Sequence, residues 1–221
     1  MSGVAQDITE RKQAEERIGS LLAEKELLLK EVHHRIKNNM NTISSLLSLQ
    51  AQTLQDPSAI EALEDANHRV RSMGILYDKL YQSADFLELS VKDYVPTLVE
   101  EIIGNFPNRK MVRVEKRIDD FLLDAKRLQP VGIIINELLT NTMTYAFRGR
   151  TDGLVTVSAT NAGGHVTIAV QDDGVGVPES VSLENSAGFG LRLIHALARQ
   201  LDGTIRMERG DGTKVVLGFE K

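Results

Sequence analysis

Two groups of side chains in this sequence have the types and spacing that chemistry needs. The first lies in Glu31-Val32-His33-His34-Arg35-Ile36-Lys37-Asn38-Asn39. A neutral imidazole takes a proton near physiological pH and can attack an electrophile through a ring nitrogen. Metal binding asks for ligands on one helix face, typically at i and i+4, and adjacent positions such as 33 and 34 do not converge. Taken alone, a His-His pair is a weak signal, and incidental surface and boundary histidines are the far commoner explanation.

The second group falls in three pieces. In Asn136-Glu137-Leu138-Leu139-Thr140-Asn141, positions 137 and 141 are four apart, so a helix puts Glu137 and Asn141 on one face where they can meet one ligand. A solvated polar stripe is the plain alternative. Gln171-Asp172-Asp173-Gly174-Val175-Gly176-Val177-Pro178 directly follows a run that reads as a strand. A carboxylate at a strand end can accept a hydrogen bond from an exocyclic amine such as adenine's, and glycines let backbone approach a base closely. By itself D-D-G-x-G could also be a hairpin turn or part of a calcium loop, although the alternating acidic ligands and terminal Glu of an EF-hand are missing. In the third piece, Gly188-Phe189-Gly190-Leu191 opens a helix, where free amides and the positive dipole end favour phosphate. A lone G-x-G is common; three pieces in this order, each at an expected structural edge, are much less so.

The elements that must position these groups are legible from periodicity. From about Asp7 to Leu54 there is no proline and one internal glycine, Gly19, while apolar residues recur at three- and four-residue steps. That is a long amphipathic helix. Asp56-Pro57-Ser58 breaks it, and a second periodicity (Ile60, Leu63, Val70, Met73, Leu76, Tyr77, Leu80) runs to about Tyr81. The two form an antiparallel hairpin, whose apolar seam is best covered by a second copy in a four-helix bundle. With Ile36 at zero, Leu29, Val32, Met40, Ile43, Leu47 and Leu54 lie within roughly 40° and define the core-facing stripe. His33 then sits about 60° away, at the margin, and His34 about 160° away, facing solvent.

Beyond Ser83 the pattern changes to that of an α+β sandwich. A short strand at Phe86–Leu89, a helix from a Ser90/Asp93 N-cap pair to Gly104, a strand over Met111–Ile118 and a helix over Arg127–Phe147 are expected. A hairpin of Val155–Ala159 and Val166–Val170, a glycine-rich loop from Asp172 to Gly190, a helix over Leu191–Leu201 and strands at Thr204–Met207 and Lys214–Phe219 complete it. In 221 residues with 42% apolar content, two modest units are expected. The net charge of −5 argues against nucleic acid as a partner, and the lack of cysteine excludes disulfides and thiolate metal sites. No apolar run approaches bilayer length and the charged start lacks a secretory signal, so the fragment reads as cytoplasmic, without membrane insertion.

With these motifs in hand, the chain strongly resembles the sensor histidine kinases of two-component systems, in the subfamily (HWE-like) whose acceptor box reads roughly E-V-H-H-R-x-K-N-N. That box is joined to the GHKL-type (Bergerat) ATP-binding fold, which is shared with type II topoisomerases, a class of heat-shock chaperones and mismatch-repair ATPases. The resemblance runs from about Leu27 to the carboxyl end and includes Arg69-Val70-Arg71-Ser72-Met73 with Leu80-Tyr81. A histidine is common in the family where Tyr77 stands. It implies that His34 accepts phosphate from ATP and Glu137 polarises the attacking group. It further implies that Asn136 and Asn141 belong to the nucleotide site with Asn141 on Mg2+, that Asp172 reads adenine beside Gly174 and Gly176, and that Gly188 and Gly190 form the second glycine box. Thr213 takes the place of a threonine often near the base, and Val177 to Ala187 that of the ATP lid. After Asn141 the family usually has Ala, a variable residue and a basic one; here the run is Thr142-Met143-Thr144, so phosphate charge would be met more weakly or by Arg148 or Arg150. Residues 3–12 resemble the end of a PAS sensor domain.

The resemblance thus implies residues 1–12 as a sensor remnant and linker, 13–84 as a dimerisation and phosphotransfer hairpin and 85–221 as the catalytic ATP-binding domain. The partners implied are a response regulator receiver domain, a second copy of the chain and an upstream PAS-type sensor. A non-catalytic dimeric scaffold with a degenerate nucleotide site is the alternative, and a serine kinase of the anti-sigma type, which shares the ATP fold, would leave the histidine helix without a purpose.

Overall fold

Proline-free periodicity over the first fifty-odd positions yields a single helix, α1 (Ser2–Thr53), and Pro57 opens the next, α2 (Pro57–Gln82). Between them Asp56 works as a cap: its carboxylate accepts from the Ser58 backbone N–H at 2.9 Å and from the Ser58 hydroxyl at 2.8 Å. The structure, a computed structural model, describes residues 2–82, 88–179, 181 and 189–221. The short strand expected at Phe86–Leu89 falls largely outside them, and the described strand β1 spans Glu88–Ser90.

The α1–α2 seam is rotated from the expected one. Its α1 side is made by Leu29, His33, Ile36, Met40, Ser44, Leu47, Ser48 and Ala51, with Leu54 just past the helix end, centred roughly 45° from Ile36 toward His33. Ser44 donates to Asn67 of α2, whose amide donates to Ser48 at 2.8 Å, so a polar pair of contacts pins the register. Val32 and Ile43, expected in the core-facing stripe, are 48% and 47% exposed. The wheel had averaged two apolar faces: one meets α2, and a second, with Leu28 and Leu46, stays uncovered in the single chain.

The remainder is a sheet covered on one face by helices, α3 (Val91–Gly104), α4 (Ala125–Asn141) and α5 (Phe189–Gln200). Its strands are β2 (Val112–Ile118), β4 (Gly153–Ala162), β5 (His165–Asp172), β6 (Thr204–Gly210) and β7 (Gly212–Glu220), in the order β2-β4-β5-β7-β6. β2 and β4 are parallel and the other pairs antiparallel, so the sheet is mixed. β3 (Leu122–Asp124), which periodicity did not reveal, pairs with β1 in a separate two-stranded ribbon. Strand alternation decides the core: Val155, Val157 and Ala159 of β4 stand beside Asp172, Val170 and Ile168 of β5 and face the helices. They pack with Leu128, Ile134, Ile135 and Leu139 of α4.

The fourth helix was expected to run from Arg127 to Phe147. It starts earlier because Asp124 caps it, accepting from the Arg127 backbone N–H at 2.8 Å, and its α-helical part stops at Asn141. A wider π-helical turn, Thr142–Ala146, follows. Outside partners hold that turn: the Ala146 carbonyl accepts from Val175 N–H at 2.9 Å, and the Met143 carbonyl from the Asn108 amide at 3.0 Å.

Candidate active site

Asp172 ends β5 on the same side as Val166, Ile168 and Val170, so the alternation that builds the core also carries this carboxylate inside, where it is 5% exposed. One carboxylate oxygen accepts from Gly174 N–H at 3.0 Å and Thr213 N–H at 3.2 Å; the other lies 3.4 Å from the Thr142 hydroxyl. Burial raises the carboxyl above its ordinary value, against the opposing pull of those donors. The second oxygen keeps acceptor capacity, as recognition of an amine would need. A recess of about 280 Å³ at this end of the sheet is lined by Asp172, Gln171, Glu208, Arg209, Lys214 and the turn around Gly212; register puts Gln171, Glu208 and Lys214 on the sheet face opposite the Asp172 side chain.

Thr213 is brought to Asp172 through its backbone N–H. Thr142 joins them unforeseen: the family pattern marks it only as a departure, and the signal that points to it is its place one residue past Asn141. Gly174 lies against the end of α4. A Cβ there would overlap the Ala146 carbonyl, so glycine is needed for loop and helix to approach. Asp173 turns outward; it accepts from the Leu154 N–H at 2.8 Å, and its backbone carbonyl accepts from Arg150.

In the fourth turn of α4, Asn136 and Glu137 are buried, at 4% and 0% exposure. The Asn136 side-chain oxygen has no hydrogen-bond partner among the described residues. Glu137 is gripped by Arg69 of α2, whose Nε lies 3.0 and 2.9 Å from the two carboxylate oxygens. The Arg69 guanidinium also sits 5.4 Å from the ring centre of Phe189, the first residue of α5. Asn141, one turn beyond Glu137, is half-buried at the junction with the π turn, and its side chain makes no capping bond there. Gly190 is buried in the first turn of α5 beside Glu137, whereas Gly188 and most of the Val177–Ala187 segment lie outside the described residues.

The structure therefore brings Glu137, Gly190, Asp172, Gly174 and Thr213 toward one end of the sheet and leaves His34 apart. His34 is exposed on α1. His33 is half-buried and stacks on Tyr77 of α2, with ring centres 5.1 Å apart and planes at 13°. The basic residues considered for phosphate are engaged locally: Arg148 lies 4.9 Å over the Tyr145 ring, and Arg150 contacts Asp173.

Among the described residues no group of three or more His, Asp or Glu side chains could cage a metal. The half-buried Asn141 side chain offers an amide oxygen, a donor type that magnesium takes alongside waters and phosphate oxygens.

Comparison with known proteins agrees with this geometry. A family model described as histidine kinase matches residues 31–106, and one described as histidine kinase-like ATPase domain matches residues 108–219. Sensor histidine kinase PdtaS of Mycolicibacterium smegmatis is 33% identical over 218 residues, which cover 96% of this chain and 42% of that protein. Blue-light-activated histidine kinase 2 of Erythrobacter litoralis is 25% identical over 198 residues, covering 87% and 56%. The chain thus spans roughly half the length of these relatives. Among solved structures, the histidine kinase domain of the Erythrobacter litoralis blue-light activated kinase superposes with a TM-score of 0.60 at 20% identity, covering 81% of this chain and 95% of that one. Histidine kinase AdeS of Acinetobacter baumannii gives 0.52 at 16%, covering 82% and 96%. Both share the fold of this chain. With two adjoining family models spanning residues 31–219, this chain belongs to the histidine kinases.

Proposed function

We propose that the chain is the cytoplasmic core of a sensor histidine kinase, which transfers the γ-phosphoryl group of Mg-ATP to His34 and then passes it to an aspartate on a response regulator receiver domain. The observation that carries this reading is the pairing, in one chain, of a solvent-facing histidine on a hairpin with a buried Glu137 in an ATP-binding fold docked on that hairpin. Residues 1–12 are read as the end of a PAS-type sensor in the parent protein, 13–84 as the dimerisation and phosphotransfer hairpin and 85–221 as the catalytic domain. Asp172 accepts from adenine, with Thr213, Gly174 and Gly176 around the base; Asn136 and Asn141 line the phosphate side, with Asn141 on the metal; Gly188 and Gly190 lead into the helix start that meets phosphate.

In the transfer a neutral ring nitrogen of His34 attacks the γ-phosphorus in line, the bond to the β,γ-bridging oxygen breaks and ADP leaves. Glu137 orients the imidazole and takes its proton. Magnesium held by the Asn141 amide would supply charge neutralisation at the phosphates, and the rest of the catalysis is positioning. The second apolar face of α1 is covered by another copy of the chain. A scaffold reading, in which the nucleotide site is degenerate, draws on Arg148 and Arg150 being held by Tyr145 and Asp173 rather than open to phosphate.

Labelled ATP separates the two. Wild type and His33→Gln should gain acid-labile, base-stable phosphate and His34→Gln should gain none. A wild type that takes no such label leaves the scaffold reading standing, and full labelling of His34→Gln moves the acceptor elsewhere.

A further inference from the structure

Arg69 belongs to the hairpin and Glu137 to the ATP-binding domain, yet they form the most buried ion pair among those the structure resolves, with side-chain exposures of 18% and 1%. A carboxylate with no exposure is costly to keep charged unless a cation meets it, and here the cation comes from the other unit. The start of α5 closes the arrangement. The Arg69 guanidinium lies under Phe189, and a Cβ on Gly190 would come within 2.6 Å of a Glu137 oxygen and 3.3 Å of an Arg69 nitrogen. Hairpin, α4 and α5 thus meet around one guanidinium.

The height of this clasp along the hairpin gives it meaning. Contacts of Ser44 with Asn67, Met40 with Gly74 and His33 with Tyr77 fix the antiparallel register. In that register Arg69 stands level with the region of Ser44, ten residues along α1 from His34, which at 1.5 Å per residue is an axial separation of about 15 Å. While Arg69 holds Glu137, the carboxylate is engaged by a guanidinium and is far from the imidazole it would serve.

We propose that Arg69 is an intrachain lock: it holds Glu137 in a resting arrangement, and transfer to His34 requires that the clasp open and the ATP-binding domain move along the hairpin. This rests on the reading of Glu137 as the base for His34. The lock opposes transfer, so weakening it raises the rate. Arg69→Gln removes the charge and Arg69→Lys retains it without the forked geometry.

The test uses the whole chain with two measurements. Because the chain has no cysteine, Glu64→Cys on α2 and Arg192→Cys on α5, both exposed, accept a spin-label pair that reports the distance between hairpin and domain, diluted with unlabelled chain. Arg69→Gln and Glu137→Gln should each shift or broaden that distance. Initial labelling with Mg-ATP should rise about fivefold or more in Arg69→Gln, less in Arg69→Lys, and stay low when Glu137→Gln is added. An unchanged distance, or a rate at or below wild type in both Arg69 variants while wild type labels, overturns the lock. If wild type itself takes no label, the kinase reading fails, and the distance shift alone decides whether the clasp holds the two units together.

Discussion

At the residue scale the site depends on how each polar group is buried. Asp172 is inside because strand alternation puts it on the core face, and three donors then compensate its charge. Asp172→Asn should weaken ATP binding by about 1.5–3 kcal/mol, roughly ten- to a hundredfold, measurable by calorimetry. Burial holds this carboxyl above its ordinary value, so it protonates earlier than a free aspartate as pH falls. ATP affinity should therefore begin to decline above the ordinary carboxylate range, and Asp172→Asn should lack that step. The linkage to folding has the opposite sense: ionising a carboxyl whose folded pKa is raised costs stability as pH climbs through that pKa. His33 and His34 differ in the same concrete way, one half-buried and stacked on Tyr77 and the other exposed.

At the element scale α4 carries most of the site, and its ends matter more than its middle. Asp124 caps it, and the Arg127 side chain adds an ion pair to the same carboxylate. Burial pushes the Asp124 carboxyl up, but the Arg127 backbone N–H and guanidinium together draw it below its ordinary value. Asp124→Ala should destabilise the domain by about 1 kcal/mol in urea unfolding. The wild-type advantage should be present above the unfolded carboxylate pKa and disappear as pH falls through the depressed folded value. A difference that persisted at the lowest pH would point away from the charged cap. At the other end, the π turn swings Thr142 under Asp172 and offers the Ala146 carbonyl to the glycine loop. Wide turns of this kind are frequent at functional sites.

For the whole molecule, the question is what covers α1. Leu28, Val32, Ile43 and Leu46 are between 47% and 61% exposed on a face adjacent to the α2 seam. A contiguous apolar stripe on a long helix marks an interface, and a second copy completing a four-helix bundle is its proposed occupant. Ile43→Lys with Leu46→Lys should convert a dimer to a monomer in sedimentation while helical circular dichroism persists. A dimer mass unaffected by both charges would eliminate this face. Arg69 docks the ATP-binding unit on the hairpin near the level of Ser44, about 15 Å along α1 from His34, the proposed acceptor.

Local pattern was enough to indicate much of this protein. Periodicity located the hairpin, since 3.6-residue repeats without proline leave few options, and β-branched alternation around Ala162-Gly163-Gly164 located the central strands. Helical phase alone faced His34 outward, and spacing alone put Glu137 and Asn141 on one side of a helix. What no local rule contained was the identity of each face's partner. The wheel around Ile36 merged the α2 seam with the uncovered stripe, because periodicity reports that a side is apolar and not what lies against it. The ribbon strand β3, three residues long, is too short to show alternation and exists because β1 pairs with it. Thr142 meets Asp172, Gly174 yields to Ala146 and Arg69 closes on Glu137 through contacts between residues distant in sequence, which only the packing of helices on the sheet and of the domain on the hairpin could decide.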